Sequence, residues 1–229
     1  MQYDLVEEGV FLARPNRFIV HVALPEGTVV CHVKNTGRCA ELLVPGAAVF
    51  VQRFPPDSPR KTKFDLIAVR KGGLLVNIDS QAPNKAFGEF LRAGRVPGLP
   101  APTLVRPESV WGDSRFDFYA EQGAGRFFLE VKGVTLEENG AALFPDAPTE
   151  RGVKHLHELS RAAQEGFGAY AVFVLQMKGM HTFAPNTATH PAFAQALRDA
   201  RAAGVTLLAY DCMVRPDAMA LDAPVPILL

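Results

Sequence analysis

Ser114-Arg115-Phe116-Asp117-Phe118-Tyr119 and, after a short polar link, Arg126-Phe127-Phe128-Leu129-Glu130-Val131-Lys132-Gly133-Val134 are two runs of β-type composition. Aromatic and β-branched residues fill both, and Gly123 and Gly125 lie between them, so they read as antiparallel strands over 115–120 and 126–134. Side chains alternate along a strand, which puts Phe128, Glu130 and Lys132 on one face and Phe127, Leu129 and Val131 on the other. Asp117 stands between Phe116 and Phe118, whose side chains point away from it. Folding about Gly123 sets Asp117 opposite Leu129 or, with a shift of one residue, opposite Glu130. Two acids in aromatic sequence are costly to bury without a cation. A hard divalent ion held by Asp117, Glu130 and the main-chain carbonyl of Val131 meets that need. Mg²⁺ takes oxygen ligands, keeps several waters and shares its shell with phosphate, and Mn²⁺ is its usual substitute. Lys132 beside Glu130 then orients or deprotonates the attacking water, and the chemistry is phosphodiester hydrolysis. An E-x-K triplet also arises by chance about once in a chain of this size and forms an ion pair, so the spacing alone leaves both readings open.

Around this pair the periodicity predicts helices over 84–93, 150–165 and 191–203 and strands over 104–111, 169–176 and 205–210. The order α-β-β-β-α-β-α-β is that of a mixed sheet flanked by helices. The helix after Pro148 is well signalled, with Thr149 as its N-cap and Glu150 at the positive end of the dipole. Val153, Leu156, Leu159 and Ala163 form its apolar stripe, which leaves Arg151, Lys154 and His155 to face phosphates. A solvated helix with Lys154 paired to Glu158 explains the same spacing. Gly152 costs the helix about 1 kcal/mol relative to alanine and permits a close backbone approach.

The first 80 residues are different in kind. Short β runs over 10–13, 17–24, 28–34, 47–54, 64–69 and 74–78 are separated by turn residues such as Pro25-Glu26-Gly27. So many short strands suit a small barrel, with the OB-fold a natural candidate. The pattern changes at Asp79, so the domains are expected to be 1–80 and 81–229. From Ala13 to Gly72 there are ten Lys and Arg against four Asp and Glu, a local charge of +6 hidden by a formal net charge of +0. Arg17, Lys34, Arg38 and Arg53 then form an electrostatic track for a nucleic-acid backbone, with Asn35-Thr36-Gly37 as the turn that presents Arg38. Few exposed aromatics are expected beside them, so base stacking is not expected.

Composition excludes other classes. With 48% hydrophobic and 21% charged residues the chain is globular, neither disordered nor a disulfide-stapled miniprotein. The longest apolar run, 169–175, is far short of the ~20 residues a membrane helix needs. The three cysteines, Cys31, Cys39 and Cys212, have no metal or disulfide spacing, and no export signal opens the chain, so the cytoplasm is the expected compartment.

Asp117, a dozen residues, then Glu130-Val131-Lys132 on successive strands after an opening helix resembles the PD-(D/E)xK nuclease superfamily. The sequence is closer still to the sugar fermentation stimulation protein A family. The stretches that carry the likeness are Asn16-Arg17-Phe18, His32-Val33-Lys34-Asn35-Thr36-Gly37-Arg38, Ser114-Arg115-Phe116-Asp117-Phe118, Glu130-Val131-Lys132-Gly133-Val134-Thr135-Leu136, and Phe144-Pro145-Asp146-Ala147 with Thr149-Glu150-Arg151-Gly152 and Lys154-His155-Leu156. The resemblance implies a two-domain α+β chain: an OB-like small β-barrel, then a restriction-endonuclease-like mixed α/β sheet flanked by helices. It further implies DNA as partner, Asp117 and Glu130 as metal ligands, Lys132 as the catalytic ammonium and Glu89 of the opening helix as a supporting carboxylate. One departure is that the aspartate follows Phe116 and not a proline. The leading expectation is a DNA-binding, Mg²⁺-dependent nuclease-like protein. The alternative is a non-enzymatic DNA-binding regulator of sugar-metabolism (maltose-type) genes that keeps the nuclease fold as a platform.

Overall fold

The computed structural model describes residues 1–35 and 37–229. Thr36, the middle of the turn read from the sequence, lies outside the described residues. The N-terminal part contains β1 (Val6–Asn16), β2 (Ile19–Leu24), β3 (Gly27–Val33), β4 (Ala48–Arg53), β5 (Phe64–Lys71) and β6 (Leu74–Asn77). The first five close into an OB-like barrel in the order β1-β2-β3-β5-β4, with β3 and β5 parallel and the other pairs antiparallel. Alternation fills it: Val20, Val22 and Leu24 of β2 point inward with Phe11, Cys31, Val49, Val51 and Leu66. β1 begins at Val6, earlier than its apolar run suggests, because the ladder to β4 holds the acidic Glu7-Glu8 segment extended.

The second part comprises α1 (Ala82–Arg92), β7 (Leu104–Trp111), β8 (Ser114–Gln122), β9 (Gly125–Val134), β10 (Leu136–Glu138), β11 (Ala141–Phe144), α2 (Glu150–Gln164), β12 (Gly168–Leu175), β13 (Thr182–Pro185), α3 (Pro191–Ala202), β14 (Thr206–Arg215) and β15 (Ala218–Pro224). A six-stranded mixed sheet runs β15-β14-β12-β9-β8-β7, parallel only at β9–β12 and β12–β14. α1 covers one face, where Phe87 and Leu91 meet Phe118, Leu129, Val131 and Val172. α2 and α3 cover the other, where Leu156, Leu159, Phe193 and Leu197 meet Phe116, Phe128, Ala171 and Phe173. Among the described residues no helix is long and apolar enough to cross a membrane.

Four strands exceed the sequence expectation. β10, β11 and β13 form a separate three-stranded sheet, and β15 pairs with β14 as an edge. They are short or half exposed, so no clean apolar period marks them. The β10–β11 turn nevertheless carries Asn139 and Gly140, both at positive φ (52° and 81°), the Asn-Gly signature of a tight hairpin.

A buried polar network fastens the barrel to the second part. Gln176 donates through Nε2 to Asn77 O (2.9 Å), Asn77 Oδ1 (3.1 Å) and Asp79 O (3.1 Å). Lys34 Nζ sits between Asp79 Oδ2 (2.9 Å) and Asp65 Oδ2 (3.2 Å), and Tyr3 donates its hydroxyl to Asp79. Burial and the Asp79 charge push the Tyr3 phenol well above its ordinary pKa, so it serves as a donor.

Candidate functional site

The β8–β9 hairpin turns through Gly123, at φ 56°, and Ala124, with Gln122 opposite Gly125 and Phe118 opposite Leu129. That register continues to Asp117 opposite Glu130, the second of the two alignments the sequence allows. The paired ladder ends at Phe118 and Leu129. There the Asp117 carboxylate takes over from the backbone: its Oδ2 accepts from Val131 N at 2.7 Å, and its Oδ1 accepts from Asn84 Nδ2 of α1 at 2.7 Å. An extended residue points its N–H and C=O toward the same neighbouring strand, so the Val131 carbonyl is aimed to the Asp117 side. This break corrects one expectation. Phe116 and Phe118 do not share a face: Phe116 packs under α2, against the His155 ring, and Phe118 packs under α1, against Phe87.

Glu130 is 4% exposed on the α2 side. Its Oε1 takes a hydrogen bond from Lys132 Nζ at 2.5 Å and another from His155 Nδ1 of α2. Arg151 donates its Nε–H to His155 Nε2 at 3.3 Å, which leaves Nδ1 to donate to the glutamate. Glu130 Oε2 is buried with no hydrogen-bond partner. Burial works to raise the Glu130 pKa, but His155 and Lys132 outweigh it and hold the carboxylate below its usual range. Asp117 goes the other way: burial, then the Glu130 charge, raise its pKa against the hydrogen bonds from Val131 and Asn84. Glu130 is thus compensated by Lys132 and His155 through Oε1, while Asp117 has only neutral donors in direct contact and Glu130 Oε2 has none.

The donor set fits a hard divalent cation: two carboxylates, the Val131 carbonyl on the same side, and a buried oxygen without a partner. Among the described residues no group of three or more His, Cys, Asp or Glu gathers as a ready-made metal cage. Such an ion would therefore complete its shell with water or phosphate oxygens. Beside Asp117 an open depression of about 260 Å³ is lined by Asn84, Lys85, Arg92, Pro107, Glu108 and Phe118, room for a substrate group next to that carboxylate.

Several sequence-assigned residues stand elsewhere. Glu89 does not join the acids; it is exposed and paired with the Met1 ammonium at 2.7 Å, because it lies on the outer face of α1, and Asn84 is the α1 residue that reaches Asp117. His155 does not face solvent. The buried stripe of α2 is Gly152, His155, Leu156, Glu158, Leu159 and Ala162, rotated from the expected one so that His155 turns inward, where Glu130 satisfies its ring N–H. Arg151 and Lys154 remain exposed, Lys154 on the Asp113 carbonyl (2.8 Å) and not on Glu158, which pairs with Arg161. Lys34 is locked in the junction network, and Arg53 is paired with Glu7 and Glu26 over the Phe64 ring, so neither is a free cation for a phosphate track. Arg17 and Arg38 are exposed. Asn35 Oδ1 accepts from Gly37 N at 2.8 Å. Sequence reasoning passed over Asn84, Arg14 and Gln176, polar residues with no motif around them.

The comparisons with known proteins agree with each other. Residues 81–218 match the family model described as sugar fermentation stimulation protein RE domain, and residues 12–78 match the SfsA N-terminal OB domain. A sugar fermentation stimulation protein homolog of Desulfitobacterium hafniense (strain DSM 10664 / DCB-2) is 54% identical over 219 residues, covering 96% of this chain and 94% of that protein. The homolog of Ruminiclostridium cellulolyticum is 50% identical over 230 residues, covering 100% of both. Among solved structures, Pyrococcus furiosus SfsA in complex with Ca²⁺ superposes with a TM-score of 0.90 at 28% identity, over 100% of this chain and 98% of that one.

Proposed function

This chain belongs to the sugar fermentation stimulation protein family, and from that premise we propose that it binds DNA and hydrolyses phosphodiester bonds at Asp117, Glu130 and Lys132 with Mg²⁺ or Mn²⁺. The observation that carries the reading is the partnerless, buried Glu130 Oε2 beside Asp117, a pair of acids that a dication would neutralise. The structure of the Pyrococcus furiosus relative in complex with Ca²⁺ supports a divalent ion as ligand here. Asp117, Glu130 and the Val131 carbonyl would hold the ion. Once bound, it supplies charge stabilisation to the phosphodiester and lowers the pKa of a coordinated water. The chain's own residues do the rest. Asn84 and the Val131 amide hold both Asp117 oxygens in place, and His155 and Lys132 occupy Glu130 Oε1, which leaves Oε2 for the ion. Lys132 Nζ, held at 2.5 Å on Glu130, is the group that orients the attacking water. Exposed Arg17, Arg38, Arg151 and Lys154 offer charge to the DNA backbone.

Supercoiled, linear and single-stranded DNA incubated with Mg²⁺, Mn²⁺ or chelator is the direct assay. Nicking is expected with either metal, absent with chelator, and reduced at least a hundredfold in Glu130→Ala and Lys132→Ala. Wild-type protein that binds DNA and never cuts it under any of these conditions overturns the hydrolytic reading and leaves the regulator.

A further inference from the structure

The tip of the β1–β2 hairpin carries a large exposed aromatic residue in the basic half of the chain. Phe18 is 46% exposed, and the Arg17 guanidinium lies 5.1 Å from its ring centroid. Exposed aromatics are few on this surface, as expected, and among the described residues Phe18 is the large one that stands beside the cations. The ring is not on a loose loop. Phe18 N donates to Asn16 Oδ1 at 2.9 Å, which closes the turn. Behind it the Arg14 guanidinium donates to four carbonyls: Arg17 O (2.9 Å), Asn35 O (2.9 Å), Gly37 O (2.9 Å) and Arg38 O (2.6 Å). One charged fork thus ties the Arg17-Phe18 tip to the segment after β3, so that Arg17, Phe18 and Arg38 are displayed from one preorganised unit. The same segment reaches the second part of the molecule. Gly37 lies against the Asp146 carboxylate, and Asn35 shares a small cavity with Gly133 and Thr135, one and three residues after Lys132.

We propose that Arg17, Phe18 and Arg38 form a stacking platform for an unpaired nucleotide, which makes the preferred ligand a single-stranded segment running toward the Asp117–Glu130 pair. A flat ring with the Arg17 guanidinium beside it, and Arg38 carried on the segment that Arg14 ties to the same tip, matches a base with its neighbouring phosphates, whereas in a duplex the base faces are covered by neighbouring pairs. The proposal deepens the DNA-binding reading and rests on it, but does not require cleavage.

The test is fluorescence anisotropy of a labelled oligo-dT 20-mer, and of a duplex of equal length, against the full chain in chelator. Single strand is expected to bind more tightly, and Phe18→Ala to weaken it about tenfold while changing duplex affinity less than twofold. Phe18→Trp keeps the affinity, and its indole emission is quenched on oligo-dT beyond any change in wild type, whose single Trp111 lies far along the sequence. Unchanged oligo-dT affinity in Phe18→Ala, equal losses for both DNAs, or no quenching in Phe18→Trp overturns the platform. So does a Phe18→Ala variant whose only change is loss of a dimer in sedimentation, which would give the ring to a second copy of the chain. Wild type that binds oligo-dT through Phe18 yet never nicks DNA defeats hydrolysis and keeps the platform. Wild type that binds no nucleic acid defeats both.

Discussion

Asn84 shows how one amide sets the state of a buried acid. Its Nδ2 donates to Asp117 Oδ1 at 2.7 Å while the Val131 amide serves Oδ2, so both oxygens are oriented without any full positive charge in direct contact. Burial and Glu130 still raise the Asp117 pKa, which measures how much these two neutral donors leave undone. Residues that orient a metal ligand from behind are typically worth about 10–100-fold in metal affinity. Asn84→Ala is therefore expected to weaken Ca²⁺ binding about tenfold by isothermal titration calorimetry; unchanged affinity with an intact fold would remove Asn84, and the Asp117 site with it, from metal binding. Asp117, Glu130 and Lys132 could be picked out as candidates from their spacing together with the family resemblance. Asn84 and His155 could not be given these roles, because an amide 33 residues away and a histidine 25 residues away reach the acids only when two different helices close over the sheet.

Element by element, the site exists because β8 and β9 stop pairing at Phe118 and Leu129. Beyond that point the aromatic sequence of β8 no longer alternates across one surface, and Phe116 goes to α2 while Phe118 stays with α1. Just past Lys132 on β9, Gly133 gives Gln176 and Pro83 their room: a Cβ there would lie 2.4 Å from Gln176 Oε1 and 2.7 Å from Pro83 Cγ. Pro83 sits in the first turn of α1 next to Asn84, so crowding at Gly133 displaces the donor to Asp117. Gly133→Ala is expected to cost about 1–3 kcal/mol and to lower activity in the nicking assay, whereas Gly73→Ala, with open space at its Cβ, stays within about 0.5 kcal/mol in thermal melts. Equal melting temperatures for the two variants would refute this packing argument. α2 was readable from its start, and Thr149 Oγ1 accepts from Gly152 N at 3.0 Å. The close approach that Gly152 permits is that of Thr149 and the Phe193 ring of α3, an assignment local spacing could not supply.

At the scale of the whole molecule, the polar links that join the barrel to the second part include the buried Lys34–Asp79–Gln176 network and the pair of Lys71 on β5 with Glu137 on β10, Nζ to Oε2 at 2.7 Å. Glu137 has a lowered pKa, first through the Gly140 amide and then through Lys71. A carboxylate with a depressed folded pKa stabilises above its unfolded value and loses that contribution as pH falls through the folded one. Glu137→Gln should therefore lower the melting temperature by an amount equivalent to at most about 1 kcal/mol at neutral pH, and the difference should close on acidification below the ordinary glutamate range. A difference that stays constant down to pH 3 would show that charge at this junction is not its source. Alternation, turn residues and helix caps are local, so the amino-acid order alone determined the small barrel, the mixed sheet with its helices, and the acids and amine on neighbouring strands. Which cations are free was decided only by tertiary structure: Lys34 and Arg53 meet carboxylates distant in sequence, and Arg14 spends its guanidinium on four carbonyls to display Arg17 and Phe18. Desolvation and pairing depend on what the rest of the chain brings alongside, and no local pattern encodes that.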